Sequence, residues 1–100
     1  MRIAIPTNDG KTVSEHFGRS NYFFIYDSET KEKKLIDNPH KENVDDRVGH
    51  ALLLKSLLNE KIDKVICYNL GMKMMNDLNK VNIRVEFSNE ISIEKIIKQL

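Results

Sequence analysis

The chain alternates between short apolar runs and polar breaks until about residue 45, where the pattern turns helical. Ile3-Ala4-Ile5 is an apolar run halted by Pro6 and the turn signal Asn8-Asp9-Gly10, and it reads as a buried strand. Tyr22-Phe23-Phe24-Ile25-Tyr26 is aromatic and β-branched, a second strand. Asp27-Ser28-Glu29-Thr30-Lys31 forms a hairpin connection into a third strand around Lys33 to Ile36, which ends at Asp37-Asn38-Pro39. From about Asp45, His50, Ala51, Leu53, Leu54, Leu57 and Leu58 share one side of a helical wheel, opposite Lys55, Ser56, Asn59 and Glu60. Asn43, with Asp46 three residues on, is placed to cap the start of this helix.

Asp63-Lys64-Val65-Ile66-Cys67 returns to a buried strand. Gly71 to Lys80 is a short helix with Met74, Met75 and Leu78 facing inward, and Met72 is left off that face, nearer any ligand. Ile83, Val85 and Phe87 alternate with Arg84 and Glu86 as a half-exposed strand. Ser92 caps a last helix, with Ile93, Ile96, Ile97 and Leu100 at helical spacing.

The element order is therefore βββαβαβα, an α/β arrangement whose later strands are joined by right-handed crossovers. Charges on the third strand (Lys33, Lys34) and the fifth (Arg84, Glu86) mark them as edges. The first and fourth strands are apolar on both faces, as central parallel strands are. A five-stranded mixed sheet of order 3-2-1-4-5, with strand 2 antiparallel, satisfies these constraints. Chain growth then reverses between strands 1 and 4, and ligands of open α/β sheets bind at such a switch, beyond the carboxyl ends of the strands.

Composition restricts what that switch can serve. The 100 residues predict a single domain, 1–100, with one core. Sixteen Lys and Arg balance fifteen Asp and Glu, evenly along the chain, so neither nucleic acid nor a membrane surface is an expected partner. No apolar stretch is long enough to span a bilayer, and the first residues lack the core of a signal peptide, so a cytoplasmic location is expected. The single cysteine excludes a four-thiolate cluster held within one chain.

Two segments reach the switch: Thr7 to Asn21, containing Ser14-Glu15-His16-Phe17-Gly18-Arg19, and Cys67-Tyr68-Asn69-Leu70-Gly71 at the start of the second helix. His16 lies in a loop, with Phe17 as an anchor and Gly18 for a tight turn. It is either a metal ligand or a loop histidine bonded to backbone. Arg19 either forks an anionic ligand or forms a surface salt bridge. His50, on the apolar stripe of the first helix, reads first as a buried imidazole bonded to a carbonyl or carboxylate. Cys67 reads first as a small core hydrophobe, with thiolate ligation as the alternative if the following helix N-terminus lowers its pKa. Asn69-Leu70-Gly71 offers backbone N–H groups to an anion, and is equally an ordinary strand-to-helix turn. His40, in a polar turn, carries little signal. There is no GxGxxG, Walker loop, GxSxG, HExxH or CxxC. A ribonuclease H plan needs acids around a divalent metal, and the first strand carries none in its middle.

The assembled residues resemble the dinitrogenase iron-molybdenum cofactor biosynthesis family, the NifX-like and NifB C-terminal type of domain. The resemblance spans essentially the whole chain. It rests on Ile3-Ala4-Ile5-Pro6-Thr7, on Ser14-Glu15-His16-Phe17-Gly18-Arg19 followed by Tyr22-Phe23-Phe24-Ile25-Tyr26, on Asp63-Lys64-Val65-Ile66-Cys67 with Asn69-Leu70-Gly71, and on Asn82-Ile83-Arg84-Val85. Asn38-Pro39-His40-Lys41-Glu42 and Arg47-Val48-Gly49-His50 match in part the glycine- and histidine-rich stretch that many members carry.

The resemblance implies a three-layer ribonuclease H-like fold without nuclease activity. It also implies a non-enzymatic carrier of an iron-molybdenum-type cofactor or an iron-sulfur precursor, working between cluster donor and acceptor proteins. His16 becomes the leading cluster contact, with Cys67 and His50 as further metal candidates. Phe17, Gly18, Arg19, Asn69 and Gly71 would line the cofactor site. Two other readings stay open. One is a small enzyme acting on an anionic metabolite, with His16 as general base. The other is a metal-free regulatory interaction module.

Overall fold

The computed structural model describes residues 1–40 and 45–100, so Asn43, the expected cap, and Lys41 and Glu42 lie outside the described residues. The elements follow the expected order: β1 (Arg2–Thr7), β2 (Tyr22–Asp27), β3 (Lys33–Asp37), α1 (Asp46–Asn59), β4 (Lys64–Cys67), α2 (Met72–Lys80), β5 (Arg84–Phe87) and α3 (Ile93–Lys98). They build a five-stranded mixed sheet of order β3-β2-β1-β4-β5. β2 is antiparallel to both β1 and β3, while β1, β4 and β5 run parallel. This is the expected topology, and it is consistent with a ribonuclease H-like fold.

The sheet is sandwiched because strand residues alternate between its faces. Ala4, Phe23, Ile25, Val65 and Cys67 face α1 and α2, where they pack with Leu53, Leu57, Met74 and Leu78. Ile3, Ile5 and Ile66 face the other way, against Ile93 and Ile96 of α3. α1 therefore presses a narrower stripe on the sheet than its wheel implies. Leu53 and Leu57 are buried, but Leu58 and Ala51 are exposed, because α1 has the sheet on one side and α2 beside it. Phe87, at the end of β5, and Leu100, beyond α3, are also exposed.

Local chemistry fixes the element ends. Asp45 is the N-cap of α1, its carboxylate accepting from the N–H groups of Arg47 and Val48. Ser92 caps α3 as expected, accepting from the Lys95 N–H. Pro6 does not end β1, which runs on to Thr7. The registered pairs with β4 finish at Ala4–Val65, so at Pro6 the missing N–H has a neighbouring strand on one side only. Beyond that point β1 and β4 no longer pair, and the gap between their carboxyl ends becomes the mouth of a cleft.

Candidate functional site

The loop after β1 is held rigid by short polar side chains. The Thr7 hydroxyl accepts from the Gly10 N–H at 2.9 Å and donates to the Thr12 carbonyl at 2.6 Å. Gly10 itself has φ +78°, a conformation that favours glycine. Asp9 accepts from the N–H groups of Lys11 and Thr12, both at 2.8 Å, and these bonds hold its pKa down at about 2. Further on, the Ser14 N–H bonds the Pro6 carbonyl, and the Ser14 hydroxyl accepts from the His16 N–H. Phe17 is buried, with its ring edge-on to Phe23 at a centroid distance of 5.1 Å. The anchor expected at Phe17 therefore holds His16 out of the core, exposed at the loop surface.

A second clamp joins this loop to the end of β3. Asn38, almost fully buried, donates to the carbonyls of Gly18 (3.1 Å) and Ser20 (2.9 Å). Its own oxygen accepts from the His40 N–H at 2.9 Å. His40 is thereby drawn into the wall of the cleft, only 7% exposed, between Gly18 and Gly49. A Cβ built on Gly49 would stand 2.8 Å from His40 Nδ1, so glycine is what lets the ring approach α1. Among the described residues, His40 Nδ1 is the one fully buried side-chain nitrogen or oxygen without a hydrogen-bond partner.

The resulting cleft, about 290 Å³, is lined by Glu15, His16, Phe17, Gly18 and Arg19 from the first loop and by His40. His50 of α1, Asn69, Leu70 and Gly71 of the β4–α2 turn, and Met74 of α2 close it. All three histidines of the chain thus meet at one site. The His16 ring makes no hydrogen bond among the described residues. His50 Nε2 lies 2.6 Å from Asp77 Oδ2, so the carboxylate bond expected of it is present while the ring still borders the cleft. Arg19 forms the surface salt bridge, with Asp46 at the start of α1. α2 begins at Gly71 with no side chain capping its first turn.

Cys67 is the small core hydrophobe of its first reading, and the thiolate alternative gives way: it is fully buried on the face of the sheet covered by α1 and α2, and burial pushes its thiol up to about 11. A pKa lowered by the α2 N-terminus does not occur, because desolvation is the cause that governs it. The methionine near the site is Met74, whereas Met72 is 78% exposed and points away. Among the residues that sequence reasoning passed over are His40, Asn38 and Asp77. The one signal for Asn38 and His40 was the Asn-Pro-His run at the end of β3, and Asp77 had none.

The family model of the dinitrogenase iron-molybdenum cofactor matches residues 1–100. The chain belongs to this family. An uncharacterized protein of Methanocaldococcus jannaschii is 31% identical, over 98% of this chain and 83% of its own length. The apo form of the orange protein of Desulfovibrio gigas has the same fold, with a TM-score of 0.84 at 18% identity, covering 98% of this chain and 84% of that one. A Thermotoga protein described as NifB superposes with a TM-score of 0.76 at 22% identity, covering 97% of this chain and 84% of that one. At these identities the two structures speak for the fold. Within the family, this chain places Glu15 to Arg19 and its three histidines on one cleft. No helix among the described residues is long and apolar enough to cross a membrane.

Proposed function

We propose that the protein is a non-enzymatic carrier that holds an iron-molybdenum-type or iron-sulfur cluster in transit, with the cluster as cargo in the cleft. One observation carries this reading: three imidazoles border a single cleft. Separate contacts of this kind suit a ligand of several atoms more than a lone cation, and imidazole nitrogen suits iron. His16, exposed and free of ring hydrogen bonds, is the first contact. His40 and His50 contribute to the walls of the cleft.

Backbone N–H groups at Gly71, where no side chain caps the first turn of α2, favour the negative charge of a thiolate- or sulfide-bearing cluster. Few protein ligands also suit cargo that must leave again for an acceptor protein. Anaerobic reconstitution with cluster, followed by iron, molybdenum and sulfide analysis, tests the proposal. Stoichiometric uptake with an altered spectrum in His16→Ala is expected. Unchanged stoichiometry and spectrum in that variant would remove His16 from the account, and no uptake by the parent protein would end the carrier reading.

A second reading draws on the His50–Asp77 pair, which supplies an oriented acid partner for an imidazole base. It predicts turnover of a small anionic metabolite that is independent of iron and abolished by His50→Ala. A metabolite panel giving no such turnover would dismiss it.

A further inference from the structure

His50 and Asp77 sit on different helices, 27 residues apart, and meet across the α1–α2 contact. Both are largely screened, with side chains 17% and 26% exposed, so water competes weakly for their bond. An ionised carboxylate only accepts hydrogen bonds. The neutral imidazole beside it therefore carries its proton on Nε2 and keeps the lone pair on Nδ1. That Nδ1 has no partner among the described residues, and it is not sealed in, since His40 Nδ1 is the one side-chain atom of that kind. The ring borders the cleft.

His40 makes the opposite case. Its Nδ1 is enclosed against Gly49 with no hydrogen-bond partner among the described residues, and a buried N–H without an acceptor costs about 1–3 kcal/mol. Its proton therefore belongs on Nε2 as well, where it can donate but cannot ligate. Of these two histidines, only His50 has a carboxylate partner among the described residues.

We infer that Asp77 is a positioning residue that fixes His50 as the Nε2–H tautomer, so that Nδ1 is presented to a first-row transition-metal atom in the cleft. Carboxylate support of this kind orients a metal-binding imidazole and raises its basicity. The inference deepens the carrier reading and rests on it for the nature of the cargo.

The metal-free protein provides the first test. Long-range proton–nitrogen correlation spectra of wild type should show His50 protonated at Nε2, and protonation at Nδ1 would overturn the inference. Cobalt(II) alone is the second probe, followed through the paramagnetic shift of the His50 ring. Asp77→Asn, whose amide can donate to Nε2 and drive the proton to Nδ1, should weaken cobalt binding about 10–100-fold. Asp77→Glu should recover part of that loss. Affinity and tautomer both unchanged in a folded Asp77→Asn protein would refute the assignment. Neither measurement uses a cluster. A protein that passes both yet takes up no cluster loses the carrier reading and keeps the pair, whereas cluster uptake with His50 protonated at Nδ1 sinks the pair alone.

Discussion

Replacing Gly49 by alanine sets two effects of known sign against each other. Gly49 lies inside α1, where alanine is favoured over glycine by about 1 kcal/mol. The new Cβ would stand 2.8 Å from Nδ1 and 2.9 Å from Cγ of His40. Cγ is the root of the ring, so turning the ring about the Cβ–Cγ bond does not relieve the contact, and only a change of χ1 rotamer or a backbone shift would. The His40 backbone is itself held, because its N–H donates to the Asn38 side-chain oxygen at 2.9 Å. Overpacking of this kind costs about 1–3 kcal/mol. Gly49→Ala should therefore be destabilising by between about zero and 2 kcal/mol. In a His40→Ala background the obstruction is gone, and the same substitution should stabilise by about 1 kcal/mol. Urea unfolding of the four proteins in the cycle, at constant m-value, reads the coupling directly. An equal effect of Gly49→Ala in both backgrounds, within about 0.5 kcal/mol, would refute the claim that Gly49 exists to admit His40.

Three further outcomes follow from the geometry. Asp9 has its pKa lowered from 3.8 to about 2, so its bonds contribute stability above about pH 4 that is lost as pH falls toward 2; Asp9→Ala should flatten the fall in urea midpoint between pH 5 and pH 2, and an unaltered slope would contradict this. Cys67, with its thiol pushed up to about 11, should resist iodoacetamide at pH 8 in the native protein and react readily in urea, and Cys67→Ala should leave cluster uptake unchanged. Ser92→Ala removes the cap of the one helix on its face of the sheet and should cost about 1 kcal/mol in urea unfolding; no change would show that α3 is held by Ile93 and Ile96 alone.

Much of the site was legible because its framework follows from local periodicity. Apolar runs on both faces mark β1 and β4 as central, charges mark β3 and β5 as edges, and the order β3-β2-β1-β4-β5 places the switch between β1 and β4. His16 and Asn69 to Gly71 then arrive there by connectivity, and so does His50 once α1 packs back over the sheet. Cys67 shows where strand position fails as a guide. It ends β4 near the switch, but the two-residue alternation puts it with Val65 under the helices, where loss of water outweighs any helix N-terminus nearby.

Hydrophobic alternation and turn chemistry act over a few residues, so the element order, the sheet topology and the loops that reach the carboxyl ends are all written in the primary structure. Which polar side chains meet is settled by packing. Asn38 reaches Gly18 across 20 residues of chain, and His50 finds Asp77 across 27, through the packing of one element on another. The approach of His40 to Gly49 depends on the width of a single Cβ. Short-range pattern carries no information about such contacts, since each is set by where two independently folded segments happen to dock. The cleft with three histidines is a product of that docking.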